Sequence, residues 1–367
     1  MPLTKLTLMN SGVLDLPPLK GMPLTLLDLH GTKVSDLWPL KGMPLTVLAI
    51  QNTSVSDLML LKDMPLGTLT CDFRYERDAE LLRSIPTLEK INYKPVEGFW
   101  KEAEAQQAAF ERWMQDVAVL PAEEQVKAVV KKLQELNPSY DGRETHKVEN
   151  GIVTELQFFT DNVTDISPVR ALAELKMLNC AGSRLETRTL ANLWPLRGMS
   201  LTSLNCSHTL VSDLSALQDM PLEQLMCADT NVSDLSPLEG MPLNKLQCGT
   251  TKVLDLSPLN GLPLSYLDVS GMPLVDLSPL NVLKLVFLNC QNTYVADITP
   301  LKGMPLERLL SGGTRVSDLT PLKGMSLLEL ECDFKPDRDA TLIRAIVTLQ
   351  LINGKSPSEF WKEVEAQ

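Results

Sequence analysis

Seven cysteines, three histidines and a run of evenly spaced aspartates are the residues of this 367-residue chain whose types could do chemistry. Thiols could hold a metal or pass electrons, imidazoles could ligate or move protons, and carboxylates could serve as general acids and bases. The spacing decides against each. Asp15, Asp36 and Asp57 stand 21 residues apart, and so do Asp213, Asp234, Asp255, Asp276, Asp297 and Asp318. That is a structural period, since a catalytic pair has no reason to recur at a fixed interval. The cysteines keep the same step: Cys206, Cys227 and Cys248 are 21 apart, and Cys71, Cys180, Cys290 and Cys332 take equivalent places. Their odd number and single repeat position suit neither a zinc site nor a disulfide framework, and point to buried thiols in a reducing compartment. His30, His146 and His208 have no partner at metal-ligand or triad spacing and read as surface or turn residues. There is no G-x-G-x-x-G, no Walker loop and no kinase catalytic loop. No catalytic, cofactor-binding or metal-binding residue is therefore assigned, no cofactor is expected, and the chain as it stands is read as a non-enzyme.

A period between 20 and 50 residues implies stacked units, each too small to bury its own apolar face. One unit reads PLEQLMCADTNVSDLSPLEGM, residues 221–241. Its L-x-x-L-x-C segment alternates as a short strand with one buried face. Leu225 and Cys227 would point inward, with Gln224 and Met226 outward. Stacking then lines up an inner ladder of Leu204, Leu225, Leu246, Leu267, Leu288, Leu309 and Leu330. Beside it runs a second of Cys206, Cys227, Cys248, Val269, Cys290, Ser311 and Cys332. Thr209, Thr230, Thr251, Thr293 and Thr314 stand where the chain leaves the sheet and a side chain must satisfy the backbone. The aspartate is placed to N-cap a short helical turn, DLSPL, and Gly-Met-Pro breaks that turn and returns the chain to the next strand. The aspartates are structural caps.

L-x-x-L-x-L-x-x-N-x-L is the leucine-rich repeat signature, and LEQLMCADTNV resembles it with Thr230 in the asparagine position. The short period and the DLSPL segment are similar to the bacterial, internalin-like branch, over roughly residues 1–92 and 152–353. The resemblance implies an α/β-type repeat solenoid: short parallel strands on a concave face, short helical turns on the convex face, helical caps at the ends, and a protein partner bound on the concave side. LPAEEQVKAVVKKLQELNPSYDG ahead of the repeats is similar to regions attached to large bacterial serine/threonine protein kinases. A regulatory or substrate-recruiting tail of such a kinase is thus the alternative to a free-standing, non-catalytic interaction scaffold in the bacterial cytoplasm, acting in signalling.

A longer repeat contains the shorter one. Residues 71–106 match 332–367 at an offset of 261, which gives a truncated array with a C-terminal cap at 1–106, a helical linker or N-terminal cap at 107–151, and a complete array with its cap at 152–367. The 107–137 stretch is predicted helical, split at Pro121, and HKVENGIVTELQFF a hairpin about Asn150-Gly151. The aromatic residues of the FWKE segments are assigned to cap packing. An insertion over 183–192 lengthens one coil and puts Asn192 where an aspartate is expected. Met1 falls at the position of Met22, Met43 and Met64, so a start cut from a longer polypeptide is expected.

The net charge of −12 offers no basic footprint for nucleic acid, and no apolar run reaches the length of a membrane span. Neither partner is expected. Function is then sought on the outward strand positions. One row reads Ser203, Gln224, Lys245, Tyr266, Phe287, Arg308, Glu329, and its neighbour Asn205, Met226, Gln247, Asp268, Asn289, Leu310, Glu331. Tyr266, Phe287 and Arg308 form one expected patch with Leu310 and Met226 nearby, because Tyr, Phe, Met and Arg are enriched at interface cores, and Asp268 and Asn289 complete the candidate partner-binding set.

Overall fold

Each coil converts three local sequence signals into one closed loop of chain. In the computed structural model, which describes residues 2–53, 55, 57–183 and 188–366, the L-x-x-L-x-C segment is a three-residue strand whose central leucine is buried. So short a strand persists because the next coil supplies its backbone partners, as Cys227 N–H does in donating to the Gln247 carbonyl at 2.8 Å. The threonine that follows donates its hydroxyl to the carbonyl three residues back, at 2.7 Å from both Thr209 and Thr230. That satisfies an inner carbonyl where the ladder stops.

The aspartate departs slightly from the expected N-cap. Its carboxylate accepts the N–H two residues on, at 2.8 Å from Ser236 to Asp234 and 2.7 Å from Ser278 to Asp276. The helix itself is a three-residue 3₁₀ turn, Ser236–Leu238, whose cap residue is Leu235. Asp234 therefore closes an Asx turn ahead of the helix. In so short a turn the first N–H, that of Ser236, is the one without a partner. Asn192 does the same for Trp194 at 2.8 Å. Beyond the turn, Glu239 (φ −55°, ψ 132°) and Gly240 (φ 72°) make a type II turn, which demands a positive φ at its third residue. Where the glycine is absent, Asp219 adopts φ 63°, or the 3₁₀ turn lengthens to Met59–Asp63 and Ser278–Val282.

The chain forms two compact units, Met1–Asp116 and Val117–Gln367. In the first, strands β1 (Lys5–Thr7), β2 (Leu26–Asp28), β3 (Val47–Ala49), β4 (Thr68–Thr70), β5 (Lys90–Ile91) and β6 (Lys94–Pro95) lie in sequence order, parallel except for the last pair. Helix α1 (Tyr75–Arg83) lies between β4 and β5, and α2 (Val96–Ala118) follows β6. The division expected at 106/107 falls inside α2, because EAEAQQAAFER contains good helix formers and no breaker. Met1 lies outside the described residues.

The second unit begins with α3 (Ala122–Leu136), separated from α2 at Pro121 as expected, and the antiparallel hairpin β7 (Thr145–Glu149) and β8 (Ile152–Gln157). Its Asn150-Gly151 turn has φ of 53° and 80°, the two positive values a tight hairpin favours. Parallel strands then stack in order: β9 (Met177–Asn179), β10 (Ser203–Asn205), β11 (Gln224–Met226), β12 (Lys245–Gln247), β13 (Tyr266–Asp268), β14 (Phe287–Asn289), β15 (Arg308–Leu310), β16 (Glu329–Glu331) and β17 (Leu351–Ile352). The register pairs Leu204 with Leu225, Leu225 with Leu246 and so on to Leu309 with Leu330, the inner ladder read from the sequence. This is a leucine-rich repeat solenoid, an α/β repeat fold with little regular helix outside its caps.

The seven cysteines are free and buried. Burial pushes the thiols of Cys180, Cys227 and Cys290 up to about 12, so they remain neutral apolar filler. Helices α4 (Pro336–Arg344) and α5 (Pro357–Glu365) close the second unit. There the Asn353 amide stands in for a further strand, accepting from Cys332 N–H at 2.9 Å and donating to its carbonyl at 3.1 Å. Phe334, Phe360 and Trp361 pack edge-to-face beneath, with the Arg344 guanidinium 4.0 Å from the Trp361 ring centre. Asn92, Phe73, Phe99, Trp100 and Arg83 repeat the arrangement in the first unit. The aromatic stripe is cap packing.

Candidate interaction face

Because alternate residues of a strand face opposite ways, each three-residue strand shows two side chains on the outer face of the sheet, and the register fixes their neighbours. Tyr266 pairs with Phe287 and Phe287 with Arg308, so the expected patch lies on three adjacent strands. The two rings stack with centres 4.1 Å apart and planes at 5°. Lys245 Nζ lies 4.9 Å from the Tyr266 ring centre, and Gln247 donates to the Tyr266 hydroxyl at 3.4 Å. Burial, aided by the Asp268 carboxylate, raises the phenol above its ordinary value. Arg308 leans toward Glu329, Nε to Oε2 3.6 Å. Leu310 sits beside Asn289 on the same patch.

The other named residues fall differently. Met226, on β11, is two strands from Tyr266, about 10 Å at the usual strand spacing. It lines a separate recess of about 320 Å³ with Met177, Ser203 and Asn205, bounded by His146, Lys147 and Glu155. Asp268 and Asn289 are engaged by the backbone, their Oδ1 atoms accepting the N–H groups of Ser270 at 3.0 Å and Gln291 at 3.1 Å. Asn289 also donates to Asp268 at 3.2 Å. Asn179 and Asn205 close their strands in the same way, so an Asx residue at a strand's last position is a local turn device.

Two charged groups escaped the sequence. His146 bonds through both ring nitrogens, Nδ1 to Glu144 at 2.9 Å and Nε2 to Glu123 at 3.0 Å. Burial opposes the charged ring, but the two carboxylates prevail and raise its pKa. Asp229 accepts from Arg188 and from His208 Nδ1 at 2.9 Å, and these bonds outweigh burial and lower its carboxyl. Asp229 occupies a left-handed position, φ 55°, that Gly271, Asn292 and Gly313 fill in later coils. An aspartate in that column was the available signal. Arg188 comes from the inserted stretch, of which residues 184–187 lie outside the described residues. Among the described residues no group of three His, Cys, Asp or Glu side chains could hold a metal ion, and no helix is long and apolar enough to cross a membrane.

No family model and no curated protein matches the chain. Among solved structures it is similar to an internalin from Listeria monocytogenes, at 18% identity over 96% of this chain and 87% of that one, with a TM-score of 0.45. An internalin C2 from the same organism matches at 24% identity over 54% and 88%, TM-score 0.44. A leucine-rich repeat protein from Leptospira interrogans matches at 14% identity over 95% and 83%, TM-score 0.38. The repeat register of the chain itself carries the fold assignment.

Proposed function

We propose that the chain is a non-catalytic protein-interaction scaffold that binds a protein partner on the concave strand face of its second unit, around Tyr266, Phe287, Arg308 and Leu310. The observation that carries this reading is the stacked Tyr266–Phe287 pair, half-buried on an outer sheet face that the leucine ladder does not need for packing. Aromatic and arginine side chains at the centre of a preformed rigid surface contribute most to protein association. Stacking uses one face of each ring and Lys245 lies over the Tyr266 ring, so the pair offers its edges and the Tyr266 hydroxyl, which suits contact with a protein surface. A reducing, cytoplasmic setting belongs to the same reading, supported by seven thiols that are buried and unpaired.

The test compares wild type with Tyr266→Ala/Phe287→Ala as bait for crosslinking in native extract, followed by affinity measurement on the purified partner. Loss of a central aromatic pair is expected to weaken binding by about 30-fold or more, corresponding to roughly 2 kcal/mol. Because the rings stack, the variant should also lose about 0.5–1.5 kcal/mol of stability while remaining folded. Leu254→Ala, an exposed site outside the strands, should bind as wild type. Equal affinity for the double variant would remove the patch from the function.

A further inference from the structure

We propose that His146 is a proton-dependent clasp tying the first strand of the second unit's sheet to helix α3, so that this end of the outer face tightens as pH falls. Three segments meet at the imidazole: Glu123 in the first turn of α3, Glu144 in the chain entering β7, and His146 within β7. Carboxylates only accept hydrogen bonds, and a neutral imidazole has a single N–H. With both ring nitrogens against carboxylate oxygens at 2.9 and 3.0 Å, the arrangement holds one proton more than neutral histidine between two carboxylates could supply. Whether that proton sits on the ring or on a facing carboxyl, its loss breaks one of the two bonds.

The surrounding charges leave the pairing intact. On β7, Lys147 bonds Glu149 at 2.8 Å and Glu155 of β8 at 3.2 Å. On α3, Glu124 pairs with Lys127 and Lys132 with Glu135. In the loop, Asp141 pairs with Arg143, and β9 offers the uncharged Met177 and Asn179. The Glu144 side chain is 19% exposed and that of Glu123 64% exposed. Water can replace the imidazole at Glu123 more readily, so deprotonation frees the helix contact first and leaves the short Glu144–His146 link within the chain. His146 also bounds the 320 Å³ recess beside Met177 and Ser203. The clasp therefore sets one wall of the outer face, and its existence does not depend on which partner binds there.

The sign follows from the raised titration. Stabilisation is complete below the unfolded-state pKa of about 6.5 and is lost as pH rises through the folded value. The test is hydrogen exchange of the full chain, read by mass spectrometry in segments 122–136 and 145–157 from pH 5.5 to 9, with intrinsic rates divided out and β12–β14 as internal reference. In wild type, protection of both segments should fall relative to the reference, by the ratio of the folded and unfolded dissociation constants of His146. His146→Gln should show low protection without the slope. Glu123→Gln should abolish the slope in 122–136 while the rest of the unit exchanges as wild type. A wild-type slope that survives in both variants, or one shared equally by β12–β14, would overturn the clasp.

Discussion

Replacing the Cys248 sulfur with oxygen tests whether the thiol row is apolar filler in a ladder that also tolerates a hydroxyl. Cys248 is fully buried, and its N–H donates to the Asp268 carbonyl at 2.9 Å. Three coils later the same ladder position holds Ser311. Its N–H and hydroxyl both donate to the Glu331 carbonyl, each at 2.8 Å. A serine at 248 would find the Asp268 carbonyl in the same place. An unpaired buried hydroxyl costs about 1–3 kcal/mol, and a net hydrogen bond returns about 1 kcal/mol. Cys248→Ser should therefore cost about 1 kcal/mol, no more than Cys248→Ala, which loses the sulfur's contacts and leaves a void. Cys248→Val should cost less than about 1.5 kcal/mol, because the next coil already carries Val269 there. Urea unfolding of the full chain measures all three against wild type, provided the slope with denaturant is shared. A serine variant more than about 3 kcal/mol below wild type would refute the reasoning, since it would mean that the hydroxyl finds no carbonyl and the coils are not interchangeable.

The raised thiols make a pH prediction. Each folded value near 12 lies above the 9.0 of an ordinary thiol, so the folded chain keeps protons that the unfolded chain releases. Stability should be flat below about pH 8, then fall between 9 and 12 by up to about 1.4 kcal/mol per pH unit for each buried cysteine. Cys227→Val should lessen that slope, and a slope unchanged by the substitution would exclude the thiols as its cause. At the type II turn, Gly240→Ala forces an alanine to φ 72° and should cost about 1–2 kcal/mol, whereas Asp219→Gly relieves φ 63° and should be neutral or stabilising by up to about 1 kcal/mol. Thermal unfolding checks the pair, and a Gly240→Ala chain as stable as wild type would mean that the turn has another geometry.

The features readable in advance were those the period enforces. Leu225 and Cys227 could be placed because a strand's alternation and a 21-residue step leave one arrangement, and Thr230 because a carbonyl must be satisfied where the ladder ends. The aspartate was legible as a backbone acceptor but not as an Asx turn, since that depends on the helix being a 3₁₀ turn of three residues. The course of α2 through 106/107 is masked in the sequence because 71–106 and 332–367 share an end, while the helix propensity of α2 runs past it. His146 and Glu123 stand 23 residues apart on different elements, and no periodicity links them. The row assignment placed Tyr266 and Phe287 side by side, but not the stacking of their rings, and it put Met226 too near them by ignoring the two strand steps between β11 and β13.

The use of aromatic residues separates what this fold requires from what it merely permits. At the ends of the arrays, where the leucine ladder has no further coil to pack on, Phe73, Phe99 and Trp100 in one unit and Phe334, Phe360 and Trp361 in the other cover it with large rings. Within the second array the inner ladders are filled by leucine, cysteine, a valine and a serine, and among the described residues the buried core holds no aromatic ring between β9 and β16. Tyr266 and Phe287 lie in the middle of that stretch on the outer face, and neighbouring coils fill the same row with glutamine, lysine and glutamate without any change in backbone. The solenoid would stand with polar residues at both positions. Tyr266 and Phe287 are therefore a pair that the stack does not need, held in place by coils that would pack without it.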